Sequence, residues 1–251
     1  MRARLARTAG QAVAGAMERT VQLAEALIAR TRGGTAQFFE PAALPWVRPL
    51  EREWRVIRGE LDRLLAHVEL LPNFQDLQAE QTALTQDDRW KVFILHGYGI
   101  RIDENCRRCP ETARLVESIP GMTTAMFSIL RRGKHLPAHR GPYKGVLRYH
   151  LGLRVPEGCR IRVGDEERRW SEGESLVFDD THDHEAWNDS DEDRVVLFVD
   201  FVRPLPLPLA ALNHALLALF RRTPFILGAL RQQRRWEELF GAQLDTLAAL
   251  H

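Results

Sequence analysis

Residues 146–153 read VLRYHLGL, and this stretch decides the fold class. Side chains along a strand alternate between faces, so Leu147, Tyr149 and Leu151 share one face while Arg148 and His150 share the other. The first face suits a hydrophobic core. The second puts an arginine and a histidine on a strand flanked by core residues, and a buried guanidinium is costly unless it meets an anion such as a carboxylate. Further β-like runs lie at 91–95, 124–130, 160–163, 175–178 and 195–201, punctuated by turn residues such as Arg132-Gly133, Gly141-Pro142 and Glu172-Gly173. Many short strands with this punctuation predict a sandwich or barrel rather than a parallel α/β sheet.

Outward from this β-rich region, 91–203, the pattern becomes helical. In the N-terminal region, 1–90, Val13, Met17, Val21, Ala24 and Ile28 recur every three or four residues, and Arg32-Gly33-Gly34 ends that helix. Leu50, Trp54, Ile57, Leu61, Leu64 and Leu65 mark a second apolar stripe. Residues 204–251 begin with the apolar LPLAALNHALLALF and continue through Arg221, Arg222, Arg231, Arg234 and Arg235. Both helical regions are expected to pack on the β core, although a basic amphipathic end also suits a membrane surface.

Composition narrows the function classes. The 251 residues are 45% hydrophobic and 27% charged, which describes a globular chain, and a formal net charge of +1 argues against a nucleic-acid partner. Three cysteines close no disulfide framework and point to a reducing, cytoplasmic setting. Cys106 and Cys109 form a CxxC pair that would need Cys159 and a histidine such as His135 to complete a zinc site, so buried thiols are the simpler expectation. No uncharged apolar stretch reaches the roughly 18 residues of a membrane-spanning helix. The N-terminus lacks the compact apolar centre of a secretory signal and reads as an amphipathic helix.

Five of the nine histidines fall between His135 and His184. His139 precedes a turn and His184 follows the apolar strand SLVF, so each lies where a ligand can project into a barrel mouth. Imidazole suits iron, zinc or copper. A histidine beside a turn equally suits a solvent-facing position, and spacing alone leaves the metal open. The acids around His184, namely Asp179, Asp180, Asp183 and Glu185, read as capping a solvated loop or as orienting the imidazole. Trp170 and Trp187 read as packing.

From Ser128 to Arg203 the chain resembles the aspartyl/asparaginyl β-hydroxylase family of 2-oxoglutarate-dependent oxygenases. The stretches that carry the resemblance are FSILRRGKHLPAHRGPYKGVLRYHLGL (127–153), GCRIRVGDEERRWSEGESLVFDDTHDHEAWND (158–189) and RVVLFVDFVRP (194–204), and NCRRCPETARLVESIPGM (105–122) adds to it. The resemblance implies a mainly β fold with flanking helices, built on a double-stranded β-helix of the jelly-roll, cupin-like kind. It implies catalytic Fe(II) held by His139 and His184, with 2-oxoglutarate as cosubstrate and O2 as oxidant. It also implies that Arg194, with Ser128 beside it, pairs with the distal carboxylate of 2-oxoglutarate, and that Arg148 and His150 contact the metal-proximal one.

One position departs from the wider superfamily, where an acid two residues after the first histidine completes the metal site. Here that position is Gly141, as in the peptide-modifying aspartyl hydroxylases. The bacterial lipid A hydroxylases, which RYHLGL and the CP-containing segment also resemble, typically carry an aspartate there. The expected substrate is therefore the β-carbon of Asp or Asn in a peptide or protein, with a lipid acyl chain as the alternative. The open ligand position also admits chloride and hence halogenation, and a non-enzymatic module that holds a dicarboxylate is the rival from another class.

Overall fold

The computed structural model of the chain describes residues 2–78 and 82–248. Helix α1 (Arg2–Ala29) leads through strand β1 (Phe38–Phe39) into α2 (Val47–Arg52), α3 (Trp54–Leu65) and α4 (Phe74–Leu77). The hairpin of β2 (Trp90–Gly97) and β3 (Ile100–Arg101) is followed by α5 (Asp103–Arg108) and α6 (Pro110–Glu117). The main run of strands is β4 (Met122–Leu130), β5 (His135–His139), β6 (Val146–Arg154), β7 (Cys159–Val163), β8 (Glu166–Arg169), β9 (Ser175–Phe178), β10 (His184–Asn188) and β11 (Arg194–Val202). Helices α7 (Leu209–Phe220), α8 (Pro224–Trp236) and α9 (Ala242–Ala248) end the described chain.

Among the described residues the strands form two antiparallel sheets, a large one in the order β1-β9-β6-β11-β4-β2-β3 and a small one in the order β5-β10-β7-β8. The chain crosses repeatedly from one sheet to the other, β4 to β5 to β6 to β7, then β8 to β9 to β10 to β11. That alternation makes a jelly roll, mainly β with flanking helices, as expected.

The alternation read from VLRYHLGL is the one the sheet adopts. Leu147, Tyr149 and Leu151 are at most 3% exposed and belong to the main core. That face is covered by the N-terminal helices, which bury Leu50, Ile57, Leu61 and Leu64 in the same core. The Trp46 ring meets Tyr149 and Phe201 edge-on at 5.1 and 5.0 Å. Each such aliphatic side chain removed from water contributes about 1.5–3 kcal/mol. Along α1, Ala24 and Ile28 are buried and Met17 and Val21 half-buried, while the Val13 side chain lies outside the described residues.

Two features depart from the sequence reading. Helices α5 and α6 interrupt the β-rich region. Their local signals are conventional, with Asp103 and Glu104 in the first turn of α5, Arg107 and Arg108 in its last, and Pro110 opening α6. The sequence predicts neither the short β1, β3 and β8 nor the two strands β5 and β10. HLPAH and HEAWN are short and poor in β-branched residues, and tertiary pairing rather than local propensity makes them strands. No helix among the described residues is long and apolar enough to cross a membrane.

Candidate active site

Between the two sheets lies a cavity of about 490 Å³. The large sheet lines it with even-numbered residues of β4, β6 and β11, including Ser128, Arg148, His150, Arg194 and Phe198, and the small sheet adds His139 and His184. All six residues that the sequence singled out for the site thus meet in one cavity.

His139 and His184 face each other across the β5–β10 pair, with ring centroids 4.1 Å apart. The register slips by one residue between His184 and Ala186, so that His184 opposes His139 while Ala186 opposes Leu136. In an unbroken strand, residues 136 and 139 would face opposite ways. This bulge lets both line the cavity. Because β5 is an edge strand, it tolerates Pro137, whose carbonyl accepts a hydrogen bond from His139 Nδ1 at 2.8 Å. His184 Nδ1 likewise donates to the His182 carbonyl at 3.0 Å. A carbonyl can only accept, so both imidazoles carry their proton on Nδ1 and present the Nε2 lone pair. Burial lowers both pKa values, that of His184 to about 3 with His139 and Arg148 adding to the effect, which keeps the pair neutral. Among the described residues, no third histidine, cysteine or acid joins this pair closely enough to share an ion.

Arg194 opens β11 and is 2% exposed. Its Nε and Nη1 have no hydrogen-bond partner, and burial depresses its pKa to about 10. The guanidinium lies 4.5 Å over the Trp170 ring, which also stacks on His150 at 5.9 Å. Trp170 is therefore packing, as expected, but packing that sets the positions of two cavity residues. Both His150 nitrogens are buried without partners, and burial together with Arg194 and Arg148 lowers its pKa well below the usual histidine range. Ser128 Oγ accepts from Trp90 Nε1 at 3.1 Å, which leaves its own hydrogen available to another acceptor. This corner of the cavity holds several donors and no acid, so it is built for an anion.

Arg148 is different. Its Nε donates to Asp200 Oδ1 at 2.9 Å, its Nη2 lies 2.8 Å from Asp180 Oδ2, and it sits 4.2 Å over the Phe198 ring. Two internal acids already balance this charge. Asp180 is 1% exposed, and burial pushes its pKa up to about 6 against the opposing pull of Arg148. Gly141 donates its backbone N–H to the Asp180 carbonyl at 2.7 Å, and a Cβ at position 141 would overlap the Asp180 carboxylate. The space where the superfamily's third ligand would begin is thus filled by a different acid. Gly141→Ala is expected to lower stability by about 1–3 kcal/mol and to loosen the Arg148–Asp180 pair. Thermal unfolding checks this, and an unchanged midpoint would mean that Asp180 moves aside freely.

The reading of Asp179 and Asp180 as solvated loop acids is corrected, since both are buried. Asp179 pairs with Lys144 at 2.5 Å and with Arg203. Asp183 and Glu185 do reach solvent-side partners, both on Arg162. His135 is exposed and stacks on Trp187 at 5.0 Å, and among the described residues it joins no group of three metal-ligand side chains. The three cysteines are buried and unpaired, with Cys159 bonded to Asn188. Asp200 was missed altogether. A lone acid in VVLFVDF, on the same parity as Arg194, was the available signal.

A family model described as aspartyl/asparaginyl beta-hydroxylase matches residues 51–204, more than half of the chain. The chain belongs to the aspartyl/asparaginyl β-hydroxylase family. An ornithine lipid ester-linked acyl 2-hydroxylase of Rhizobium tropici is 47% identical over 215 residues, 84% of this chain and 76% of that protein. The human aspartyl/asparaginyl beta-hydroxylase is 35% identical over 63% of this chain, and the match spans only 21% of that longer protein. Human aspartate beta-hydroxylase domain-containing protein 2 is 34% identical over 68% of this chain and 48% of its own length. Among solved structures the likeness is loose. A cupin domain of a transcriptional regulator from Enterobacter cloacae is 13% identical and covers 46% of this chain and 99% of its own at a TM-score of 0.33. Membership in this hydroxylase family thus rests on sequence, and the jelly roll on the structure itself.

Proposed function

We propose that this β-hydroxylase family member is an Fe(II)- and 2-oxoglutarate-dependent dioxygenase that hydroxylates the acyl chain of a lipid. The observation that carries the cofactor reading is the pairing, in one cavity, of two neutral imidazoles with a buried guanidinium that has no acid of its own. His139 and His184 would hold the metal through Nε2, their backbone-bonded Nδ1 atoms fixing tautomer and ring orientation. Iron bound there, with 2-oxoglutarate and O2, supplies the oxidation of a C–H bond while the cosubstrate leaves as succinate and CO2.

The protein's own contribution is positioning. Arg194 supplies a planar fork for the distal carboxylate of 2-oxoglutarate, and Ser128, its oxygen already engaged by Trp90, donates its hydrogen to the same group. His150 would offer a second neutral donor, and Arg148, which shares its charge with Asp180 and Asp200, would contact the metal-proximal carboxylate. With its donors buried and no internal acid present, the Arg194 corner favours a dicarboxylate over water.

The acyl substrate is supported by the rest of the cavity wall, where Phe74, Leu77, Ile94, Met126 and Leu230 present apolar surface from α4, β2, β4 and α8. A hydrocarbon chain matches that surface and excludes water from the reacting carbon. The C-terminal region, 204–251, exposes Leu219, Leu227 and Leu239, and Arg221, Arg222, Arg231, Arg234 and Arg235 of the same region are exposed too. This is the composition of a peripheral contact with an anionic, cytoplasm-facing lipid surface, where each basic side chain contributes about 1 kcal/mol. The peptide reading keeps one specific support, the glycine at position 141.

Incubation with an ornithine-type ester lipid and, in parallel, with Asp- and Asn-containing peptides separates the two. We expect a gain of one oxygen on the acyl chain by mass spectrometry. Leu230→Trp should raise the lipid KM by about tenfold or more without changing 2-oxoglutarate affinity. Oxygenation of a peptide with the lipid left intact would reverse the substrate assignment.

A further inference from the structure

A second cluster of metal-ligand side chains lies on the opposite face of β2. Trp90 and Ile94 point into the cavity, and strict alternation would send residue 96 the same way. The register against β4 shifts between Ile94 and His96, and His96 emerges on the outer face against α5 and α6. There His96 Nε2 is 3.1 Å from Glu117 Oε1 and 3.8 Å from Cys106 Sγ. One ligand atom from each of the three lies within 4.8 Å of the others, a grouping that no other three such residues make among the described residues.

These separations can be compared with what a metal would impose. Zinc bonds of about 2.0–2.1 Å to nitrogen or oxygen and 2.3 Å to sulfur, arranged tetrahedrally, put ligand atoms about 3.3–3.6 Å apart. The two distances above lie within a few tenths of an ångström of that range, and the third, between Cys106 and Glu117, is at most 4.8 Å, so those two side chains would draw together by up to about 1 Å as the ion binds. We propose that His96, Cys106 and Glu117 form a zinc site distinct from the cavity, with water in the fourth position. His96 and Cys106 are buried, while the Glu117 side chain is 39% exposed, which gives an entry path and room for that water.

The competing arrangement is a hydrogen-bonded cluster in which Arg101 pairs with the same Glu117 oxygen that faces His96. Arg101 is 41% exposed and also reaches Asp103, so it can turn to the second Glu117 oxygen as the ion enters. A metal there ties β2 to both α5 and α6 by bonds stronger than the present contacts. The same strand continues into Gly97 and Tyr98, which line the cavity, so the clamp would brace the wall of the site from behind.

Cobalt(II), which follows zinc's coordination preferences, tests the proposal on the intact protein because the cavity site contains no cysteine. Titration should produce a thiolate-to-cobalt charge-transfer band that zinc abolishes on addition. Cys106→Ser should remove the band, Glu117→Gln should weaken cobalt binding by about tenfold or more, and Cys159→Ser should change neither. Zinc loading should raise the unfolding temperature of the wild type and not of Cys106→Ser. A titration without a thiolate band, or a band that persists in Cys106→Ser, would overturn the site.

Discussion

Arg194→Met is expected to make the protein more stable and to remove its affinity for 2-oxoglutarate. The two effects have one cause. The wild-type side chain keeps a charge 2% exposed with Nε and Nη1 unpaired, at a cost that its depressed pKa of about 10 records. Methionine fills similar volume without that desolvation, so the variant gains about 1–3 kcal/mol after loss of the contact with Trp170. For a chain of this size the unfolding midpoint should rise by about 2–10 °C. Loss of a buried charge-assisted pair costs about 2–5 kcal/mol of binding, so 2-oxoglutarate affinity should fall on the order of a hundredfold or more. Calorimetry and isothermal titration read the two separately. A variant that is less stable and binds 2-oxoglutarate normally would show that Arg194 serves the fold.

The neighbouring arginine should behave in the opposite way. Arg148→Met leaves the Asp180 and Asp200 carboxylates without their shared partner, and breaking a buried pair from one side costs about 3–5 kcal/mol. The deficit should depend on pH with a definite sign. Burial already raises the Asp180 pKa to about 6, and removing Arg148 takes away the main opposing influence, so it climbs further. A carboxyl whose folded pKa exceeds its unfolded value binds more protons when folded, and folding is favoured as pH falls through that pKa. The variant should therefore lie closest to the wild type near pH 5 and furthest below it near pH 8. Equal deficits at both ends would mean that Asp180 does not carry the uncompensated charge.

These opposite expectations for two arginines in one cavity mark how far the sequence could be read. VLRYHLGL told which face of β6 is core and which carries Arg148 and His150, because strand alternation is local. The ordered motifs likewise brought His139, His184 and Arg194 into one family pattern. Which arginine is internally neutralised was hidden, since Asp180 and Asp200 come from other strands and loops and only folding brings them to Arg148. The strands bearing the histidines were also hidden, for HLPAH and HEAWN owe their conformation to each other. Least visible were the one-residue slips. Without the slip opposite His184, Leu136 and His139 could not share the cavity face, and without the slip beside Ile94, His96 would point into the cavity rather than toward Cys106 and Glu117. Gly141 was legible as a missing acid, but not that Asp180 occupies the space.

The central claim is that a cavity with two histidines and no third acid ligand holds the catalytic iron. Anaerobic titration with Fe(II) in the presence of 2-oxoglutarate, on the wild type and on His139→Ala and His184→Ala separately, tests it most directly. The account predicts one Fe(II) per wild-type chain, with each single variant losing about a hundredfold or more in iron affinity and all 2-oxoglutarate turnover when oxygen is admitted. Wild-type iron binding and turnover in either variant would contradict it.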